Sequence, residues 1–268
     1  TTEIVGTITP EASAATGLAV GTPVLTGTDD SGAEAISTGV FKPGDMMVQL
    51  GSTCYFIYCS DELVKDDRLW HDSFIIPDTF SISGGTNTAG TLTRWFRDTI
   101  FFDKLEAEKK TGVKAYQAML EGLEEIPPGS DGLITLPYFA GERTPINDAQ
   151  AKGLIFGLRL DHTREQLYKS ALEGIAYSIA QHFDIIESLG KPLEKIMIVG
   201  GGTKNPVWLQ IIADVSGREV HVAGETIGAA YGDALMAALA GGEISTLGAL
   251  DGFIKPEKTF VPDPEKVK

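Results

Sequence analysis

The sequence predicts an α/β domain in which an antiparallel hairpin is built into a sheet otherwise made of βα units. Three observations predict it. The apolar run Ile196-Met197-Ile198-Val199 passes through Gly200-Gly201-Gly202 into Thr203-Lys204-Asn205-Pro206. A short, wholly apolar run suits a strand buried on both faces, and Asn205 with Pro206 supplies an N-cap and a first helical residue that needs no N–H. Glycines at such a turn let another molecule approach the main chain and leave N–H groups to meet it. Next, Met46 to Leu50 and Cys54 to Cys59 read as strands broken only by Gly51-Ser52-Thr53, hence an antiparallel hairpin. Finally, Thr163 with Gln166 three residues on forms a capping box before Leu167, Ala171, Ile175, Ile179, Phe183 and Ile186, which recur at helical spacing until Gly190.

The remaining elements follow in order. Val24 to Thr28 reads as the first strand, ending in Asp29-Asp30, with a small-residue segment from Ser31 to Gly39 behind it. After Gly84-Gly85 a helix is expected near Thr91, carrying Leu92, Trp95 and Phe96 inward. An insert of about residues 101–150 holds a helix through Tyr116 to Leu123, the Pro127-Pro128-Gly129 break, an apolar strand from Gly132 to Leu136 and the loop Gly141-Glu142-Arg143-Thr144-Pro145. Beyond Pro206 come a strand from Glu219 to Val222 and a Gly- and Ala-rich helix from Ile227 to Ala240, opened by Gly228 and Ala229. Small side chains there suit tight packing. Trp208, like Trp95, falls on an apolar helical face and is expected in the core. The tail from Lys255 is charged and contains proline, as a surface strap would.

The order is therefore β-β-β-α-(insert)-α-β-α-β-α, as in a ribonuclease-H-like sheet; a doubly wound sheet would alternate from the start. Asp29-Asp30, Gly51-Ser52-Thr53 and Gly200-Gly201-Gly202 all fall at strand ends or turns, where such sheets gather ligands, and are expected to face one cleft.

Composition narrows the function. With 22 basic against 37 acidic residues the formal charge is −15, which argues against nucleic acid but leaves room for a single nucleotide. No apolar run has the length of a membrane span and no signal pattern is present, so a cytoplasmic protein without a membrane partner is expected. Cys54 and Cys59, five residues apart in one strand, point to opposite faces and are not expected to pair. His71, His162, His182 and His221 are scattered and suggest no metal site. The chain starts Thr1-Thr2-Glu3, without Met, which suggests a piece of a longer protein.

Gly153-Leu154-Ile155-Phe156-Gly157-Leu158, seven residues, then Gln166-Leu167-Tyr168-Lys169-Ser170-Ala171-Leu172-Glu173 is similar at every position to the second signature of the FGGY carbohydrate kinases. Thr28 to Ala35 resembles the family's catalytic-aspartate motif, Leu50 to Thr53 its phosphate-binding hairpin, Tyr138 to Pro145 its sugar-kinase loop and Gly200 to Pro206 its adenosine turn. The resemblance covers about Gly6 to Gly242. It implies the fold of the actin, Hsp70 and sugar kinase superfamily. Residues 1–254 would form the C-terminal ATP-binding domain and 255–268 a tail. The N-terminal sugar-binding domain of the same kinase would lie outside this chain, and a homodimer is compatible with it.

The resemblance further implies transfer of the ATP γ-phosphoryl group, with Mg²⁺, to a hydroxyl of a small sugar, most closely a ketopentose such as xylulose. Gluconate, ribulose and other polyols stay open, as do a sugar-independent nucleotide-binding module and a purely structural domain. Register counted from Gly39 and from Ala33-Glu34-Ala35 selects Asp30 as general base; Asp29 stands where the family usually has a small residue. Asp30 also suits an Asx-turn or N-cap before Ser31. Gly51, Ser52 and Thr53 would grip the β- and γ-phosphates. The family usually reads Gly-Thr-Ser or Gly-Thr-Gly, so which hydroxyl makes the contact is open. Gly201 and Gly202 would lie against adenine and ribose, with Asn205 either contacting the base or only capping. Arg143 suits a surface ion pair or a ligand contact, and no residue is assigned as a dedicated metal ligand, Asp30 reaching Mg²⁺ through water. Alone, the chain is expected to bind nucleotide but not to phosphorylate.

Overall fold

The computed structural model describes residues 2–224 and 228–267. The chain opens with strand β1 (Ile4–Thr7), helix α1 (Pro10–Thr16), capped by Thr9, and strand β2 (Pro23–Leu25), which pairs antiparallel with β1. Nothing in β1 or α1 is buried. The expected strand from Val24 to Thr28 is thus shorter and belongs to this separate pair, because Thr26 to Asp29 turns to start helix α2 (Asp30–Ser37).

Strands β3 (Asp45–Leu50) and β4 (Cys54–Ser60) form the expected hairpin, with Leu50 opposite Cys54. Strand β5 (Trp70–Ser73) and strand β6 (Phe80–Thr86) continue the meander antiparallel. Neither was expected, and Gly84-Gly85 lies inside β6. Helix α3 (Gly90–Trp95) follows, burying Leu92 and then Phe96 but leaving Trp95 40% exposed against Phe139, contrary to its expected place in the core. The insert folds as helix α4 (Phe102–Thr111), the single turn α5 (Ala115–Ala118), where a longer helix was expected, and strand β7 (Ile134–Leu136). Strand β8 (Leu154–Phe156) pairs with β7 apart from the main sheet.

Helix α6 (Arg164–Ser188) carries the expected capping box: Gln166 N donates to Thr163 Oγ1 and Thr163 N to Gln166 Oε1. Strand β9 (Lys195–Val199), helix α7 (Pro206–Ser216) and strand β10 (Val220–Ala223) come next, then helix α8 (Ala229–Ala240). The expected start of that last helix at Ile227 lies outside the described residues. Strand β11 (Pro256–Phe260) pairs with β10, so the tail joins the sheet instead of strapping the surface.

The main sheet has the order β11-β10-β9-β3-β4-β6-β5, with β9 parallel to β3 and to β10. This is the ribonuclease-H-like arrangement, but its three meander strands are β3, β4 and β6. Alternation along the strands splits the core between two faces. Met46, Val48, Leu50, Cys54, Phe56 and Tyr58 point towards α3, α6 and α7, while Met47, Ile57 and Cys59 point towards α2 and α8. The cysteines therefore lie on opposite faces, and burial raises Cys54 to about 12 and Cys59 to about 11.

Buried polar side chains of α6 hold the insert. Glu173 accepts from Gly129 N (3.0 Å) and Ser130 Oγ (2.7 Å), Ser170 Oγ pairs with Thr135 Oγ1 (2.7 Å), and Lys169 Nζ donates to the Leu123 and Ile126 carbonyls.

Candidate active site

The two carboxylates at the start of α2 divide their duties. Asp29 is the N-cap, accepting from Gly32 N (3.0 Å), Ser31 Oγ (2.5 Å) and Thr28 Oγ1 (3.2 Å). The Ser31 hydroxyl leads in holding its pKa below the usual aspartate range. Asp30 is the first helical residue, not the end of a strand, and its exposed carboxylate accepts only from Ser31 N (2.8 Å) among the described residues. The cap is supplied by Asp29 and not by Asp30, which is left facing solvent.

The hairpin turn lies in direct contact with the glycine turn after β9. Gln49 pairs with Val199 across the parallel strands, so the chain reaches Gly51 and Gly200 side by side. Gly200 has φ +93°, and a Cβ there would stand 2.8 Å from the Leu50 carbonyl oxygen, so only glycine fits. Gly202 sits over the Leu50 side chain, whereas Gly201 faces open space. Gly51 N donates to Thr53 O (3.0 Å), closing the turn. The Ser52 and Thr53 hydroxyls and their N–H groups have no protein partner among the described residues. Asn205 caps α7, Oδ1 accepting from Trp208 N (3.0 Å), which leaves Nδ2 unengaged among the described residues. Trp208 itself is buried, as expected.

Asp30 connects to these turns through two residues that were not singled out from the sequence. Glu34 lies one helical turn on, and its Oε2 accepts from Gln49 Nε2 (2.6 Å). Burial, and then the charge of Asp30, raises the Glu34 pKa. Gly228, at the start of α8, closes the same corner: a Cβ there would stand 3.8 Å from Glu34 Oε1. The available signal was the position of Glu34 four residues after Asp30, on the same helical face.

The Gly141 to Pro145 loop packs across the end of β6. Thr144 Oγ1 accepts from Gly85 N (2.7 Å), and His182 Nε2 bonds the Thr144 carbonyl (2.9 Å). Among the described residues Arg143 makes no ion pair: it is half-buried and donates to the Thr86 carbonyl (3.3 Å). The four histidines have separate local partners, and among the described residues no group of three His, Cys, Asp or Glu side chains converges.

Comparison with known proteins shows the family. The model of the FGGY family of carbohydrate kinases, C-terminal domain, matches residues 46–241. The chain belongs to the FGGY family. It is 29% identical to xylulose kinase of Bacillus subtilis (strain 168) over 269 residues, covering 99% of this chain and 52% of the relative. It is 28% identical to gluconokinase of Bacillus licheniformis, covering 100% of this chain and 53% of that one. The crystal structure of xylulose kinase from Rhodospirillum rubrum superposes with a TM-score of 0.88 at 32% identity, over 100% of this chain and 52% of that chain. This FGGY chain thus spans about half the length of the relatives it matches. Among the described residues no helix is long and apolar enough to cross a membrane.

Proposed function

We propose that the chain is the nucleotide-binding half of a sugar kinase that moves the γ-phosphoryl group of ATP to a sugar hydroxyl, with Asp30 as general base. The observation that supports this best is the contact between the Gly51 to Thr53 turn and the Gly200 turn, with an uncommitted carboxylate linked to them through Glu34 and Gln49. Phosphoryl transfer needs little covalent help from the protein; positioning and charge stabilisation carry it. Ser52 and Thr53 offer unpaired N–H groups and hydroxyls to the phosphates, and the glycine turn gives adenosine a bare main chain to lie on. Asp30 takes the hydroxyl proton as the oxygen attacks phosphorus, a transfer that needs hydrogen-bond distance to the substrate.

Magnesium fits this donor set as it does in many kinases, through one exposed carboxylate together with nucleotide phosphates. When bound it offsets charge on the phosphate oxygens; Asp30 is the residue of this chain that would hold it, through water. The remaining half of the longer protein, an N-terminal domain of the same kinase, supplies most contacts to the sugar.

For the acceptor we propose a ketopentose such as xylulose, supported by the likeness to xylulose kinases in sequence and structure. Gluconate is the second reading, favoured by a gluconokinase at almost the same identity. ATP consumption by the full-length kinase, measured over pentuloses, gluconate and glycerol with Asp30→Asn as control, decides between them. Sugar-dependent turnover that is lost in Asp30→Asn supports the kinase. Equal turnover without sugar points instead to a nucleotide-hydrolysing module, and undiminished turnover in the variant removes Asp30 from the chemistry.

A further inference from the structure

The segment 86–91, between β6 and α3, grips the phosphate-binding turn from behind. Ala89 N (3.1 Å), Thr91 N (3.0 Å) and Thr91 Oγ1 (3.0 Å) all donate to the Ser52 carbonyl, and Gly90 N donates to the Gly51 carbonyl (2.9 Å). Gly90 is required there, since a Cβ would stand 2.5 Å from that Gly51 oxygen. With both carbonyls drawn to this side, the Ser52 and Thr53 N–H groups and hydroxyls remain for a ligand.

The other end of the segment is fixed by one carboxylate. Glu142 Oε1 accepts from Asn87 N (2.9 Å) and from Arg143 N (2.7 Å), and Asn87 Nδ2 donates to the Ala140 carbonyl (3.2 Å). Glu142 is 3% exposed, and its Oε2 has no partner among the described residues. A side chain this buried, accepting from two main-chain N–H groups, sets the path of the backbone that donates to it.

The geometry points to Glu142 as a positioning residue: by bracing Asn87 it holds residues 89–91 against Gly51 and Ser52 and so aims the turn at the phosphates. This rests on the reading of Gly51 to Thr53 as the phosphate site, and it adds a residue from a loop that makes no hydrogen bond to that turn among the described residues. The role predicts a phosphate-dependent effect. A merely structural role would weaken every ligand alike.

The test is calorimetric titration of the full-length kinase with ATP, ADP and adenosine, each with magnesium. Glu142→Ala binds ATP and ADP about tenfold more weakly and adenosine unchanged, as loss of hydrogen bonds to a charged group requires. Glu142→Gln keeps an acceptor at Oε1 and restores most of the ATP affinity. Thr91→Val, which removes only the hydroxyl bond to Ser52, weakens ATP about threefold and spares adenosine. ATP affinity unchanged in Glu142→Ala, equal losses for ATP and adenosine, or Glu142→Gln as weak as alanine would each overturn the role. Should Glu142→Ala not fold, Thr91→Val decides: unchanged ATP affinity overturns the inference. If the unaltered chain binds ATP no better than adenosine, the phosphate site itself fails, and Glu142 with it.

Discussion

Gln49 Nε2 lies 2.6 Å from Glu34 Oε2, and this bond ties the central strand of the sheet to the first turns of the helix that bears Asp30. The register of α2 over the hairpin therefore depends on a half-buried carboxylate that the sheet itself holds.

Gln49→Leu removes this bond with little change in volume. Turnover by the full-length kinase is expected to fall about tenfold, the size of one hydrogen bond to a charged group. Steady-state kinetics with saturating sugar and ATP check it, and turnover within twofold of the parent would sever Glu34 from the placement of Asp30.

Asn205 allows capping and ligand contact to be separated. Asn205→Ala loses the bond to Trp208 N and costs about 1 kcal/mol of stability, whereas Asn205→Asp keeps an oxygen at the cap. Urea denaturation of the aspartate variant should match the parent while its ATP affinity drops. If both variants lose only stability, Asn205 is a cap and nothing more.

His182 gives a pH dependence with a defined sign. Burial holds its pKa below the ordinary 6.5, so between that lowered value and 6.5 the unfolded chain binds a proton that the folded one refuses. Stability then falls as pH drops through this window, by at most about 1.4 kcal/mol per pH unit for one group. Urea midpoints taken at intervals below pH 7 should show that slope in the parent and not in His182→Asn.

Glu173 works in the opposite sense. Burial lifts its pKa above 4.5, so the folded chain holds a proton longer than the unfolded one, and its contribution declines as pH rises from 4.5 through the raised value. Glu173→Gln keeps an acceptor and loses this decline. Glu173→Ala strands Gly129 N and Ser130 Oγ and costs about 3 kcal/mol. Equal denaturation curves for the alanine variant and the parent would contradict the anchoring.

Much of this architecture was legible wherever a local signal had no competitor. Thr163 with Gln166, and Asn205 with Pro206, mark helix starts through their own main-chain bonds, and both caps are present. The hairpin at Gly51 was equally plain. Strand β6 escaped notice because Gly84-Gly85 reads as a turn, yet in the fold these residues face Phe56 and Tyr55 across the sheet and are crossed by Thr144. Lys255 onward escaped because an edge strand needs no apolar run once β10 supplies the pairing. The contacts that join the candidate site are tertiary: Gln49 to Glu34, and Glu142 to Asn87, bridge residues 15 and 55 apart in the chain. No local pattern encodes such distances.

Lys169, Ser170 and Glu173 all fall within the stretch from Gly153 to Glu173 by which the family resemblance is most readily seen, and each is spent on fastening the insert to α6. The most diagnostic part of the chain is thus a buckle. Its alteration should be felt as slackness between pieces of the molecule, while the solvent-facing surface at Asp30, borne on a different helix, keeps its own separate tolerance for change.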